Sequence, residues 1–389
     1  MLAGRRAFVT GGTGFVGSHL VERLASMGAK PVVYMRDAMT ATMVGRYGVE
    51  MFIGPITDLE MMASAAQGCR LIFHLAHDVN HADSAETNRV AAKNVAEVAR
   101  RNEARVVYLG SAEVYGDGYF GAGRLDEASP LKPTKNKAYA ASKADVEALL
   151  LTEASDAVVL QAPVIVGPYS KPWLERPIEQ FQSGWIVLPN RGQGSMNVVF
   201  VDDVARALVA AGTTPRLHGE RMLIAGATAR WSAYYERLER MFGSERVTYA
   251  DSKKDYGRIV RSVARQGIGD LVAALSDEEI IIRAERIPYV EETFDVARRH
   301  LPKIWQSLKR KRDDEPVALA AGPSAPPPPR TPPSDARLHL PDAHQRALFG
   351  ADVTIDASKA KRLIDYEPRF DFDTTMTVLE DFARWANLV

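Results

Sequence analysis

Short apolar, β-branched runs alternate with longer stretches of helical period over the first 170 residues. The apolar runs are Arg6–Thr10, Pro31–Met35, Glu50–Ile53, Leu71–Leu75, Arg105–Leu109 and Ala157–Gln161. Helical patterns fall between them at Phe15–Met27, Leu59–Ala66, Glu86–Arg101 and Lys137–Glu153. Strands separated by helices predict βαβ units with right-handed crossovers, hence an α/β, Rossmann-type doubly wound parallel sheet. Past Pro168 the pattern loosens into segments rich in Trp, Tyr and Arg, then a helix-rich stretch over about 252–311. These predict a smaller, discontinuous C-terminal substrate domain. Residues 1–170 would form the sheet domain, with 195–230 partly returning to it, and 171–389 mainly the second.

Residues 316–333 hold 8 of the chain's 22 prolines, so this segment is expected to be an extended linker within the second domain. The mixed charges of Lys309 to Glu315 before it suit a solvated helix end. Beyond the linker the pattern returns to a strand at Val353–Ile355 and two amphipathic helices. Apolar residues at 46% and charged ones at 25% are ordinary for a folded protein and exclude wholesale disorder. Forty-nine basic and 49 acidic residues cancel, which speaks against a nucleic-acid binder. No stretch reaches the roughly 18 apolar residues a membrane span needs. Met1 to Arg6 leave no room for a targeting core, so a cytoplasmic location is expected. Cys69, the single cysteine, rules out an internal disulfide and a cysteine-cluster zinc site.

Gly11, Gly14 and Gly17 follow a strand and open a helix, the setting a dinucleotide turn requires. Gly11 permits the tight turn, Gly14 lets the backbone approach a pyrophosphate, and Gly17 lets the helix pack closely. No Gly-Lys-Ser/Thr follows, which excludes a mononucleotide P-loop. The second strand ends at Met35, and Arg36 comes next. A basic residue there accommodates a 2′-phosphate, so NADP is favoured over NAD. Asp37 lies one position later and suits a helix N-cap instead; Arg36 as a plain surface residue stays open.

Tyr139 and Lys143, four positions apart, share one helix face and can enter one cleft. An ammonium beside the phenol is expected to lower its pKa from about 10 toward a working acid–base value. Ser111, at a strand's carboxyl end, can hold the substrate oxygen that gains or loses the proton.

Together these residues resemble the extended short-chain dehydrogenase/reductase family, also called the NAD-dependent epimerase/dehydratase family. The matching stretches are Thr10–Gly17, His74-Leu75-Ala76, Asn88, Ser111 in Ser-Ala-Glu-Val-Tyr-Gly, Tyr139 with Lys143, and Phe200 to Arg206. Asp356 to Ala360 and Tyr366-Glu367-Pro368 are similar to the family's closing helix and turn. The resemblance implies that Tyr139 is the general acid–base, that Lys143 binds the nicotinamide ribose, and that Ser111 holds the substrate oxygen. It implies cofactor contacts from Gly11, Thr13, Gly14, Phe15, Val16, Gly17, Arg36, Leu75, Ala76, Asn88, Tyr139, Lys143 and Pro163. It also implies a small-molecule substrate and allows a homodimer across the helices at Glu86–Arg101 and Lys137–Glu153.

The departures narrow the chemistry. Gly54-Pro55-Ile56 stands where relatives carry an acidic residue facing adenine, and Asp58 suits a helix cap. Met196-Asn197-Val198 replaces an arginine segment expected near a diphosphate, leaving Arg176 or Arg191 to supply charge. Glu113 is either a second catalytic base on the carbon next to a transient ketone or a polar wall residue. His74 and His77 suit core or cofactor-edge positions better than a metal. Asp202 and Asp203 suit a helix cap and anchor, and Trp231, Tyr234 and Tyr235 suit packing, with a substrate-facing wall as the alternative. The expected activity is hydride transfer between NADP, or NAD, and a secondary alcohol or ketone. A redox-neutral sugar-nucleotide epimerase or dehydratase is the alternative. A protein that merely senses the cofactor would have no use for all three catalytic residues.

Overall fold

The computed structural model describes residues 2–79, 83–133, 138–250, 254–261, 330–333 and 336–389. The chain falls into two compact units, Met1–Tyr249 with Thr331–Val389, and Ala250–Arg330. Within the second, residues 254–261 are helical. The rest of the helical stretch expected at 252–311, and residues 316–329 of the proline-rich segment, lie outside the described residues.

The first unit is built on a parallel sheet of seven strands. In chain order they are β1 (Arg6–Thr10), β2 (Lys30–Met35), β3 (Glu50–Ile53), β4 (Leu71–His74), β5 (Arg105–Ser111), β6 (Ala157–Ala162) and β7 (Arg221–Leu223). Their spatial order is β7-β6-β5-β4-β1-β2-β3, so the direction of winding reverses between β1 and β4. Crevices at such a reversal, beyond the strands' carboxyl ends, are where open α/β sheets bind ligands. Six strands match the sequence expectation to within a residue or two. The seventh, β7, is a three-residue edge strand after the irregular region.

Helices cover both faces. On one side α1 (Phe15–Ser26) packs with α5 (Val201–Thr213) over a core of Val9, Leu20, Val33, Phe73 and Leu208. On the other, α2 (Leu59–Ala65), α3 (Ser84–Asn102) and α4 (Ala138–Glu153) bury Phe8, Ile72, Val95, Val106 and Val146. Alternate residues of β1, β2, β4, β5 and β6 thus enter opposite cores, which is why these strands are apolar on both faces, whereas the edge strand β3 is largely exposed.

A third core sits beyond the carboxyl edge around Trp231, Tyr234, Tyr235, Phe181 and Phe349. The strand Ser195–Phe200 links it to the sheet domain, pairing parallel with Val164–Val166 and antiparallel with Ala227–Arg230. The C-terminal segment is stitched in as well: Asp352–Ile355 pairs parallel with Ala122–Leu125. The helix Ala343–Gly350, absent from the sequence expectation, precedes that strand.

Candidate active site

At one end of the cleft the backbone itself is the binding surface. Gly11 has φ 71°, and a Cβ there would stand 2.6 Å from the Ala76 amide nitrogen. A Cβ at Gly17 would overlap the Gly11 carbonyl oxygen. The turn therefore closes tightly only with glycine at both positions. Helix α1 starts after Gly14 with no side-chain cap and no acidic residue in its first turn. Its opening amides and the positive end of its dipole are left for an anion, as a dinucleotide pyrophosphate requires.

A cavity of about 280 Å³ runs from this turn past the end of β2; Thr13, Arg36, Ala76 and Asn88 are among its lining residues. Arg36 is exposed and makes no ion pair among the described residues. Both nearby carboxylates are committed elsewhere. Asp37 accepts from the Met39 amide at 2.8 Å, and Asp58 accepts from the Met61 amide at 3.0 Å, each as a helix N-cap. Gly54 is held too tightly for a side chain, since a Cβ would crowd the Tyr34 hydroxyl and the Met61 sulfur. Asn88 pins the chain after β4: its Oδ1 accepts from the Asp78 amide at 2.8 Å, and its Nδ2 donates to the Asp78 carbonyl at 2.8 Å and to Ser142 Oγ at 3.2 Å.

A larger cavity of about 820 Å³ shares Gly11, Gly14, Leu75 and His77 with the first. Phe15, Val16, Gly17 and Pro163 line it on the dinucleotide side. Ser111, Glu113, Tyr139 and Lys143 also line it. Ser111 ends β5 and caps the short turn Ala112–Tyr115, its Oγ accepting from the Glu113 amide at 3.2 Å. Lys143 is buried, donates to the Leu109 carbonyl at 2.9 Å, and lies 4.9 Å from the Tyr108 ring centre and 5.9 Å from that of Tyr139.

The electrostatics depart from the sequence expectation. Burial raises the Tyr139 phenol above its ordinary value, the charge of Glu113 adds to the rise, and hydrogen bonding with Ser111 opposes it. Tyr139 as a residue is 39% exposed, so it is the hydroxyl end that burial controls. Lys143 does not lower the phenol here, because burial pulls the lysine itself down to about 7 against the opposing charge of Glu147. His74, bonded through Nδ1 to Thr10 Oγ1 at 2.7 Å, is pulled down to about 3, first by burial and then by Lys143. His77, set edge-on to the Tyr139 ring at 5.4 Å, is pulled down to about 3 for the same two reasons. Both are neutral at ordinary pH, and no metal-ligand cluster occurs among the described residues.

Other candidates have structural work. Asp203 is fully buried and accepts from the Arg369 and Phe370 amides, tying α5 to the C-terminal turn; Asp202 pairs with Arg23 at 2.9 Å. Trp231, Tyr234 and Tyr235 are buried behind the cavity. Trp231 Nε1 donates to the Leu348 carbonyl at 3.1 Å and the Tyr234 hydroxyl to the Trp173 carbonyl at 2.6 Å. Trp173 and Leu348 line the cavity, so the aromatic cluster backs the wall without forming its surface. Neither Arg176 nor Arg191 lines either cavity, and Lys143 is the only Lys or Arg on the described wall of the larger one. Sequence reasoning missed His344, whose Nε2 lies 2.9 Å from Glu113 Oε1. The one local signal was the capping box of Asp342 and Gln345, which marks a helix start and puts His344 in its first turn.

Comparison with known proteins agrees with this architecture. Residues 7–225 match the NAD dependent epimerase/dehydratase family. The chain belongs to that family. Among curated proteins, it is 27% identical over 244 residues to a 2-alkyl-3-oxoalkanoate reductase of Shewanella oneidensis, covering 56% of this chain and 61% of that protein. It is 30% identical over 213 residues to a ceramide reductase of Caulobacter vibrioides, covering 54% and 61%. The chain thus spans about three fifths of the length of these two relatives. Among solved structures, the fold resembles a dTDP-glucose 4,6-dehydratase of Bacillus anthracis in complex with NAD. That match has a TM-score of 0.65 and 17% identity, over 99% of this chain and 100% of the other. No helix among the described residues is long and apolar enough to cross a membrane.

Proposed function

We propose that this protein is an NADP-dependent reductase or dehydrogenase acting on the ketone, or secondary alcohol, of a largely apolar small molecule. One observation carries the reading: Ser111, Tyr139 and Lys143 converge on a cavity walled by Phe15, Val79, Leu109, Ile165, Trp173 and Leu348. Such a wall favours an apolar substrate, and the names of the two curated relatives favour a reductase. A diphosphate would want arginines, and Arg176 and Arg191 lie off the wall.

The residues divide the work. A nicotinamide dinucleotide bound along the glycine turn supplies or takes up the hydride. Tyr139, kept protonated by burial, donates the proton to the substrate oxygen in the reductive direction; in the oxidative direction it must first lose its proton to solvent before it can accept the one from the alcohol. Ser111 holds that oxygen, and Lys143 meets the cofactor ribose. Arg36 takes the 2′-phosphate, with Asp37 and Asp58 occupied as caps. We place the protein in the cytoplasm and pair two copies through α3 and α4. Glu113 favours a second reading, a redox-neutral sugar-nucleotide epimerase or dehydratase, in which it serves as base on the neighbouring carbon.

Freshly purified protein is heat-denatured and the released nucleotide identified by mass spectrometry. Protein that arrives empty and is thermally stabilised by NADPH more than by NADH fits the proposal. Stoichiometric, tightly held nucleotide fits the redox-neutral reading instead, since that cofactor is restored within each turnover.

A further inference from the structure

Glu113 and His344 are separated by 231 positions and meet on the wall of the larger cavity. Each is placed by a fixed element. Glu113 sits in the turn that Ser111 caps. His344 sits at the start of the helix Ala343–Gly350, where the Gln345 amide donates to Asp342 Oδ1 at 2.8 Å and the Asp342 amide to Gln345 Oε1 at 3.0 Å. The Phe120 ring stands edge-on to the imidazole at 5.9 Å. The Glu113 side chain is only 16% exposed, so its oxygens need partners. Oε1 has His344; Oε2 takes no hydrogen bond from the described residues. Burial raises both Tyr139 and Tyr119, and the charge of Glu113 adds to each rise.

A carboxylate only accepts hydrogen bonds, so the group it selects must donate one. Glu113 stands two residues beyond Ser111, so a carbonyl held by Ser111 and Tyr139 brings the adjacent carbon of the substrate toward the pair. We infer that Glu113, positioned by His344, is the specificity-determining contact for a hydroxyl on the carbon next to the substrate carbonyl, so that apolar hydroxyketones are preferred and anionic ketones excluded. The inference rests on the reductase reading and adds the substrate class to it. An anion at this place would meet the like charge of Glu113 within largely apolar walls, and Lys143, the only Lys or Arg on the described wall, is tied to the Leu109 carbonyl.

Three ketones of one skeleton test it: benzylacetone, its analogue bearing a hydroxyl on the methyl next to the carbonyl, and the matching 2-oxo acid. Calorimetry on the full chain with saturating oxidised NADP, or NAD where that is the nucleotide bound, reads affinity without turnover. The hydroxyketone should bind about tenfold more tightly than benzylacetone, as one hydrogen bond to a charged group allows, and the oxo acid more weakly than either. In His344→Ala the hydroxyketone preference should fall at least threefold, and His344→Gln, which can still donate to Glu113, should recover part of it. In Glu113→Gln the oxo acid should lose its disadvantage. The inference is overturned by equal binding of the first two ketones to the wild type, by tightest binding of the oxo acid, by no measurable binding of the hydroxyketone, or by a preference unchanged in His344→Ala. Failure of the reductase reading shows separately, as no oxidation of NADPH or NADH by any of the three.

Discussion

The two ends of the cleft are made of different material. At the dinucleotide end the surface is main chain: Gly11, Gly14 and Gly17 bring backbone groups so close that a methyl has no room at the first or the last. At the far end the surface is side chain, with Glu113, Trp173, His344 and Leu348 coming from segments distant in sequence. A surface of backbone cannot be adjusted by substitution without breaking the turn, whereas one of side chains can change one residue at a time. The fold thus keeps cofactor binding fixed and leaves substrate choice adjustable, which suits a family that spans several reactions.

Substitutions at graded distances from the glycine turn test that division. Tyr139→Phe, where the two ends meet, should lower turnover by about 100- to 10,000-fold with cofactor affinity nearly unchanged, read by steady-state kinetics and calorimetry. Full activity in that variant would remove Tyr139 from the chemistry. Gly17→Val should destabilise the protein by about 1–3 kcal/mol or more and abolish stabilisation by NADPH, both measurable in denaturant melts. A normal nucleotide response would mean that the turn can relax after all.

Lys143→Met probes the buried charge through pH. The lysine's value is near 7 in the folded chain against about 10.5 unfolded, so below pH 7 folding bears the whole cost of burying the ammonium. That cost fades as pH rises toward 10.5, where both states are neutral. The methionine variant, without cofactor, should therefore be more stable than wild type by on the order of 2 kcal/mol at pH 6, and the gain should vanish by about pH 10. The smallest effect is expected at the outer rim: Arg36→Asp should cut the preference for NADPH over NADH by about tenfold, and an unchanged preference would show that Arg36 does not read the 2′-phosphate.

What could be read from sequence follows the same boundary. β1 and β3 match the expected limits residue for residue, because their apolar runs are bounded by glycine and polar residues. The glycine turn and the Tyr139/Lys143 pair are short-range patterns, visible in spans of a few residues. β7 was not visible, because three residues at a sheet edge carry no periodicity and depend on pairing with Val159 to Gln161. His344 was hidden because its meaning lies in a contact with a residue 231 positions away. The direction of the Tyr139 shift was misjudged because spacing shows that a lysine is near but not how deeply both groups are sunk. Depth decides the sign here.

The parallel pairing of Asp352–Ile355 with Ala122–Leu125 also sets an order of assembly. The register is fastened by Asn197 Nδ2 to the Val353 carbonyl at 2.8 Å and by an ion pair between Arg124 and Asp356 across 232 positions. During synthesis β1 to β6 emerge before residue 170, whereas His344 and the strand Asp352–Ile355 follow only after residue 340. A nascent chain should thus acquire a nucleotide-binding surface well before it owns a substrate pocket. The segment from His344 to Ile355 is the latch that completes the wall of the larger cavity.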